Sequence, residues 1–148
     1  MNKANQVVVA LALCGCLMIK ISPAVACTVT ATNFQFGTID PLIATDHQSS
    51  STVTVTCPGV TAYTVSLSPG GGTYGQRQMA SGGNTLNYNL YISSLYTSIW
   101  GDGTGSTSTV SGNADSSGSV LTVYGRLPHQ PTAIPGSYAD SIVVTVTF

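Results

Sequence analysis

Charged residues are scarce in this chain. It contains no glutamate, and its two lysines both lie within the first twenty residues. From residue 27 onward the only charged side chains are Arg77, Arg126 and five aspartates. Nucleic acids and anionic membranes are bound by clustered cations, so we expect neither as a partner. Solubility must depend on serine, threonine, asparagine and glycine, and little charge repulsion opposes self-association.

Catalytic and metal-binding patterns are also missing. No Gly-x-Ser-x-Gly motif is present, and the serines near His47 and the prolines around His129 are typical of polar loops. The segment 102–106 alternates oxygen-bearing side chains but contains one carboxylate, whereas a calcium loop normally needs several. The glycine clusters do not open a helix, as a phosphate-binding loop would. We therefore expect no enzyme activity, no metal and no cofactor.

The N-terminal segment has the pattern of a secretory signal peptide. Lys3 precedes an apolar run at 7–19, and Ala24 and Ala26 supply the small residues that signal peptidase requires. Lys20 ends the run before it is long enough to span a bilayer comfortably.

Cleavage between Ala26 and Cys27 would divide the chain into a signal peptide, 1–26, and one domain, 27–148. We expect export to the periplasm and then to the cell surface or the medium, with no stable membrane span after signal removal.

Cysteine usage fits an oxidising compartment. Cys14 and Cys16 fall within the predicted signal, which leaves Cys27 and Cys57 to form one disulfide worth about 3–4 kcal/mol. The alternative is a lipoprotein, because Ala-Val-Ala-Cys resembles a lipobox and the Cys27 thiol would then be acylated. Ala24 stands where leucine is usual, and Cys57 would be left unpaired, so the disulfide is favoured.

Alternation of apolar and polar residues predicts an all-β chain. Alternating runs lie at 34–36, 53–57, 63–67, 86–90 and 141–148, and a more continuous apolar run lies at 120–124. Glycine and proline clusters separate the runs, as expected for a β-sandwich. The Gly/Ser/Thr-rich stretch 101–119 is expected to form a long surface loop or a weak hairpin.

Aromatic residues are densest between positions 88 and 100. Alternation places Tyr88 on the core side, which leaves Tyr91, Tyr96 and Trp100 as a candidate adhesive or sugar-binding surface. Tyr138, just before the last predicted strand, is expected to hydrogen-bond back across a corner, as tyrosines do in other sandwiches.

An ordered set of short motifs spans nearly the whole predicted mature chain. They are YTVSL at 63–67, RQM at 77–79, LNYNLY at 86–91, WGDG at 100–103, VYGRLP at 123–128, GSYAD at 136–140 and VTVTF at 144–148. Together with the two cysteines, this set resembles the spore coat protein U domain family, which includes subunits of archaic chaperone/usher pili.

The resemblance implies an immunoglobulin-like β-sandwich that lacks its final strand. In this family the last strand borders an open apolar groove, filled first by a periplasmic chaperone and then by the N-terminal extension of a neighbouring subunit. An exposed apolar edge strand is an association site, and an added strand supplies backbone hydrogen bonds and apolar side chains. The candidate groove residues are Phe34, Phe36, Ile142, Val144, Val146 and Phe148.

The resemblance predicts a secreted structural subunit of a surface coat or pilus, with a periplasmic chaperone, an usher and other subunits as partners. Pilus subunits of the family carry a donated extension before the first cysteine. Cleavage after Ala26 leaves no such extension here, which favours a tip or terminal subunit or a coat protein. The alternative function is a self-contained surface adhesin or carbohydrate-binding module that uses Tyr91, Tyr96 and Trp100.

Overall fold

The computed structural model describes residues 26–148, which form ten β-strands and no helix. The strands are β1 (Thr28–Ala31), β2 (His47–Thr56), β3 (Thr61–Leu67), β4 (Arg77–Ser81), β5 (Asn84–Tyr91), β6 (Ile99–Trp100), β7 (Thr107–Ser108), β8 (Val110–Ala114), β9 (Ser119–Leu127) and β10 (Val144–Thr147). The predicted signal peptide, except Ala26, and the cysteines within it lie outside the described residues. Residues 26–148 contain no helix that could cross a bilayer.

The strands form two sheets that face each other. The larger sheet has the order β1-β2-β9-β5-β6-β7, with β4 paired to β5. The smaller sheet has the order β10-β3-β8. The long antiparallel pair of β2 and β9 runs from His47 opposite Leu127 to Val55 opposite Ser119 and forms the centre of the larger sheet.

The core lies between the sheets, as the alternation predicts. Every second residue of β2, β3, β5 and β9 points inward, and Val55 and Val65 are completely buried. The buried apolar side chains are Val53, Val55, Cys57, Tyr63, Val65, Leu67, Leu86, Tyr88, Leu90, Trp100, Ala114, Val123 and Leu127. The predicted disulfide joins Cys27, just before β1, to Cys57, just after β2. The all-β sandwich is therefore confirmed.

The structure corrects the prediction for the stretch 101–119. Instead of one long loop or a weak hairpin it contains β7, paired with β6, and β8, paired with β3 along its length. The sequence signal of β8 is weak because a glycine replaces an inward side chain. A Cβ on Gly112 would lie 2.8 Å from the Tyr63 hydroxyl oxygen, so the tyrosine ring occupies this space.

Two further strand predictions also change. The run 34–36 alternates as a strand does but is not paired with any described strand, because the chain leaves the edge of β2 after β1. The last strand spans Val144–Thr147 rather than the whole of 141–148. Tyr138 does make its predicted corner, since its hydroxyl donates to Ile134 O at 2.7 Å.

Candidate functional site: an edge strand beside an apolar groove

Strand β10 lies at the edge of the smaller sheet, and among the described residues it pairs with β3 alone. The Ser68 N–H donates to Val143 O at 3.0 Å. Because hydrogen-bonded and non-hydrogen-bonded pairs alternate in an antiparallel ladder, the backbone groups of Val144 and Val146 point away from β3. β10 therefore presents backbone donors and acceptors along its outer edge.

A groove of about 1100 Å³ opens beside this edge. One wall comes from residues 31–39, which begin at the last residue of β1, and the other from residues 133–142 together with Val144, the first residue of β10. The floor belongs to the larger sheet and consists of buried side chains from β2, β5 and β9. These floor residues are Val53, Leu86, Tyr88, Leu90 and Val123.

The structure brings together four of the six predicted groove residues. Phe34 and Phe36 line the first wall, and Ile142 and Val144 line the second. Val146 and Phe148 do not line the groove. Val146 lies further along β10, opposite Val65, and packs against the core. Phe148 follows the end of β10 and is 57% exposed, so the inward alternation does not continue to the last residue.

Phe34 and Phe36 lie across the groove as an aromatic chain. The two rings meet edge to face at 5.0 Å between centroids, and Phe36 meets Tyr88 in the same way at 5.8 Å. The Tyr88 hydroxyl donates to Asp140 Oδ2 at 2.7 Å. Burial, followed by this hydrogen bond to a carboxylate, raises the pKa of the Tyr88 hydroxyl, so tyrosine remains a neutral donor.

Asp140 fixes the chain at the start of the second wall. Its Oδ1 accepts hydrogen bonds from the Gly71 N–H at 2.9 Å and the Ser141 N–H at 2.7 Å. The carboxylate fills the space where a Cβ of Gly70 would lie, and Gly70 has a φ of +64°. The glycine cluster at 70–72 is therefore a seat for Asp140, a role that its sequence alone does not suggest.

Arg77 holds the end of the sandwich next to the groove together and is completely buried. Its guanidinium donates to Ser68 O through Nε at 3.1 Å and Nη2 at 2.8 Å. It also donates to Trp100 O at 2.8 Å and to Asn89 Oδ1 at 2.6 Å. The Tyr74 ring lies 5.7 Å from Cζ. Burial lowers the pKa of the Arg77 guanidinium. Its hydrogen-bond acceptors are carbonyl oxygens, and among residues 26–148 no carboxylate forms an ion pair with it.

The candidate adhesive patch is not a single surface. Trp100 is only 1% exposed, and its indole Nε1 donates to Val65 O at 3.0 Å, so it belongs to the core. The prediction that Trp100 is a surface residue is therefore wrong. Tyr91 and Tyr96 are half-buried and meet edge to face at 5.4 Å. Tyr96 has a φ of 54°, which is uncommon for a non-glycine residue.

The two histidines have structural neighbours. His129 donates its backbone N–H to Asp46 Oδ1 at 3.0 Å, and Asp46 also pairs with Arg126. Both hydrogen bonds lower the pKa of the Asp46 carboxyl, and the one from the His129 backbone N–H has the larger effect. His129 Nε2 lies 2.9 Å from Pro41 O, and His47 Nε2 is buried. Residues 26–148 contain no group of three or more metal-ligating side chains that could hold an ion.

Comparison with known proteins supports both the fold and the family. The family model described as Spore Coat Protein U domain matches residues 14–145. One similar solved structure is the crystal structure of the CsuC-CsuE chaperone-tip adhesion subunit pre-assembly complex from archaic chaperone-usher Csu pili of Acinetobacter baumannii.

That likeness has a TM-score of 0.52 and 24% identity, and covers 83% of this chain but only 39% of the matched chain. At this identity it supports the fold alone. No curated protein matches this sequence. The family model covers most of the chain, and the chain belongs to the Spore Coat Protein U domain family.

Proposed function

We propose that this protein is an exported structural subunit of a surface coat or pilus, and that it assembles by accepting a β-strand from a partner polypeptide. The partner strand lies along the outer edge of β10 and places apolar side chains in the groove. A periplasmic chaperone supplies this strand first, and a neighbouring subunit delivered through an usher supplies it later.

The observation that carries this proposal is the coincidence of an open strand edge with an apolar groove. Val144 contributes to both, because its backbone faces the free edge and its side chain lines the groove. The lining of the groove contains one charged side chain, Asp140. Its oxygens already accept three hydrogen bonds. An extended segment with alternating apolar and uncharged polar residues fits this chemistry.

Export is supported by two independent features. The segment 1–26 has the signal-peptide pattern, and Cys27 and Cys57 form a disulfide, as expected in an oxidising compartment. The matched solved structure is a complex of a chaperone with a tip adhesion subunit from a pilus. We extend that type of partnership to this chain.

Proline substitution at the two edges of the smaller sheet tests the proposal. In Val146→Pro the lost N–H faces the open edge, so pairing with β3 is retained. Ser111→Pro is the matched control, because its N–H faces away from β3 on the opposite edge strand, β8. The probe is a lysine-flanked peptide of alternating valine and threonine, added to the oxidised domain.

We expect the peptide to raise the melting temperature of the wild type and of Ser111→Pro in a concentration-dependent way, because a ligand that binds only the native state stabilises it. Val146→Pro should lose this response. Equal responses of the two proline variants would contradict strand addition at β10, and no response in the wild type would contradict the proposed function.

A second candidate function, a surface-binding module, is favoured by one observation. The loop after β5 places Leu95, 76% exposed, beside Tyr96 in a strained backbone conformation. If this loop binds a surface or a sugar, Tyr96→Ala should lose that binding and leave strand-peptide binding unchanged. If Tyr96→Ala still binds the surface or sugar as the wild type does, this candidate function is removed.

A further inference from the structure

The groove floor is already covered in the isolated chain. Floor residues Leu86, Tyr88 and Leu90 are only 3%, 5% and 4% exposed, although no partner strand is present. A sandwich that lacks a strand would leave such residues open to water unless its own side chains shielded them. The half-buried residues packed on this core include Phe34, Phe36 and others on both walls.

Residues 33–39, here called the strap, supply that cover from the first wall. Phe34, Phe36 and Ile39 are half-buried, and the residues between them are exposed. Residues 33–37 thus have the in-out alternation of a strand, which ends at Gly37, where φ is +76°. No backbone-to-backbone hydrogen bond involves residues 33–39. Their one hydrogen bond to another described residue comes from a side chain, since Gln35 O accepts from the Ser49 hydroxyl at 2.6 Å.

A seat for the strap is built into β9. Gly125 lies directly beneath the Phe34 ring, and a Cβ at this position would overlap three carbon atoms of the ring. Gly125 is a strand residue that needs no unusual φ, since its φ is not among the positive values. Its missing side chain therefore serves to admit the ring.

The strap is the part of the cover that is easiest to release. Val144 belongs to β10, which is paired with β3, and Ile142 lies two residues before it. Met79 belongs to β4, which is paired with β5. Tyr138 is fixed by its hydroxyl hydrogen bond. Lifting the strap breaks ring packing but no backbone ladder, whereas lifting Ile142, Val144 or Met79 disturbs a paired strand and lifting Tyr138 breaks its hydroxyl hydrogen bond.

We propose that the strap is a built-in substitute for the missing strand, which shields the groove in the isolated subunit and is displaced when a partner strand enters. This inference rests on the proposed function. It adds a regulatory step, because the partner must compete with Phe34 and Phe36 for the floor. The apparent affinity for a partner strand then equals the intrinsic affinity multiplied by the fraction of molecules in which the strap is not seated.

Two substitutions that unseat the ring by different means test this step. Phe34→Ala removes the ring, and Gly125→Ala fills its seat. We measure the association rate and Kd of the fluorescein-labelled valine-threonine peptide by stopped flow and fluorescence anisotropy. Val110→Ala is the matched control, since Val110 is also half-buried against the core but does not line the groove.

Both variants should bind the peptide about tenfold more tightly than the wild type, the factor expected when one partly buried phenyl ring no longer competes. The double variant Phe34→Ala/Gly125→Ala should show no further gain, because both changes remove the same contact. Val110→Ala should bind like the wild type. Unchanged or weaker binding in both ring variants, with the wild type binding normally, would overturn the strap alone. Absence of binding in every protein would overturn the proposed function as well.

A measurement on the wild-type sequence keeps the test valid if the variants fold poorly. The chain contains three phenylalanines, Phe34, Phe36 and Phe148, so incorporation of 4-fluorophenylalanine gives three ¹⁹F signals. Single Phe→Leu substitutions assign them. Peptide binding should shift the Phe34 and Phe36 signals towards the solvent-exposed position. Signals that keep their positions in the saturated complex would show that the strap stays seated and would overturn its displacement.

Discussion

Replacing Arg77 with lysine should destabilise the domain severely, although the charge is kept. The guanidinium uses all three nitrogens of its rigid plane: Nη1 donates to Asn89 Oδ1, Nη2 donates to Ser68 O and Trp100 O, and Nε also donates to Ser68 O. A lysine has one nitrogen and cannot occupy those positions together. The hydrogen bonds from at least two of the three guanidinium nitrogens are lost, each at about 1.5–3 kcal/mol for a charged donor, so we expect a loss of about 3–5 kcal/mol in the free energy of unfolding.

The matched control is Arg126→Lys, the same change at the other arginine of residues 26–148. Arg126 pairs with Asp46, but its side chain is 42% exposed. Exposed ion pairs contribute about 0–1 kcal/mol, so Arg126→Lys should cost less than that. The contrast isolates the effect of burial from that of the arginine side chain itself.

Urea unfolding of the oxidised domain measures both variants. The fluorescence of Trp100, the one tryptophan, reports the loss of the core, and circular dichroism reports the sheets. Equal midpoints and slopes for Arg77→Lys and Arg126→Lys, or a loss below about 1 kcal/mol for Arg77→Lys, would refute the reasoning from lost guanidinium hydrogen bonds.

Two further predictions concern glycine and pH. Gly70 and Gly82 both have positive φ, but only a Cβ at Gly70 meets the Asp140 carboxylate. Gly82→Ala should therefore cost about 1–2 kcal/mol in urea unfolding and Gly70→Ala clearly more, and equal losses would contradict this account. The Asp46 pKa is lowered, so its stabilisation is complete above the unfolded pKa of about 3.9 and is lost as the pH falls through the folded pKa. The urea midpoints of Asp46→Asn and the wild type should differ near neutral pH and converge at about pH 2–3; a constant difference would contradict the shift.

Much of the sandwich follows from alternation because burial on one face forces it. The alternation alone predicts that Val53, Val55, Tyr63 and Val65 lie on the inner face, and the structure buries them. The strands that alternation misses are those whose inward positions are filled from elsewhere. Gly112 is such a position, since the Tyr63 ring occupies its space.

Alternation also fails in the opposite sense, where a segment has the pattern of a strand but not the pairing. Phe34 and Phe36 point inward from a backbone that makes no ladder, and their rings lie beside the groove instead of in a sheet. The density of aromatic residues makes Trp100 a surface candidate in the sequence, and the two-residue strand that contains it is too short to show alternation. Its role is set by a distant acceptor, Val65 O, which local sequence does not reveal.

The buried polar contacts are the least predictable part of the site. Arg77 has acceptors from β5, from the end of β6 and from the loop after β3, and they meet only when both sheets are packed. Asp140 lies 52 residues from Tyr88 and 69 from Gly71 along the chain. Such distances in sequence leave no periodic signal.

Amide hydrogen exchange of the two edge strands, followed by NMR with and without the valine-threonine peptide, tests strand acceptance at β10 most directly. The account predicts that the peptide slows exchange at Val144 and Val146, whose N–H groups face the open edge, and leaves Ser111 and Asn113 of β8 unchanged. Unchanged exchange at Val144 and Val146 in the saturated complex, or protection of β8 instead, would contradict it.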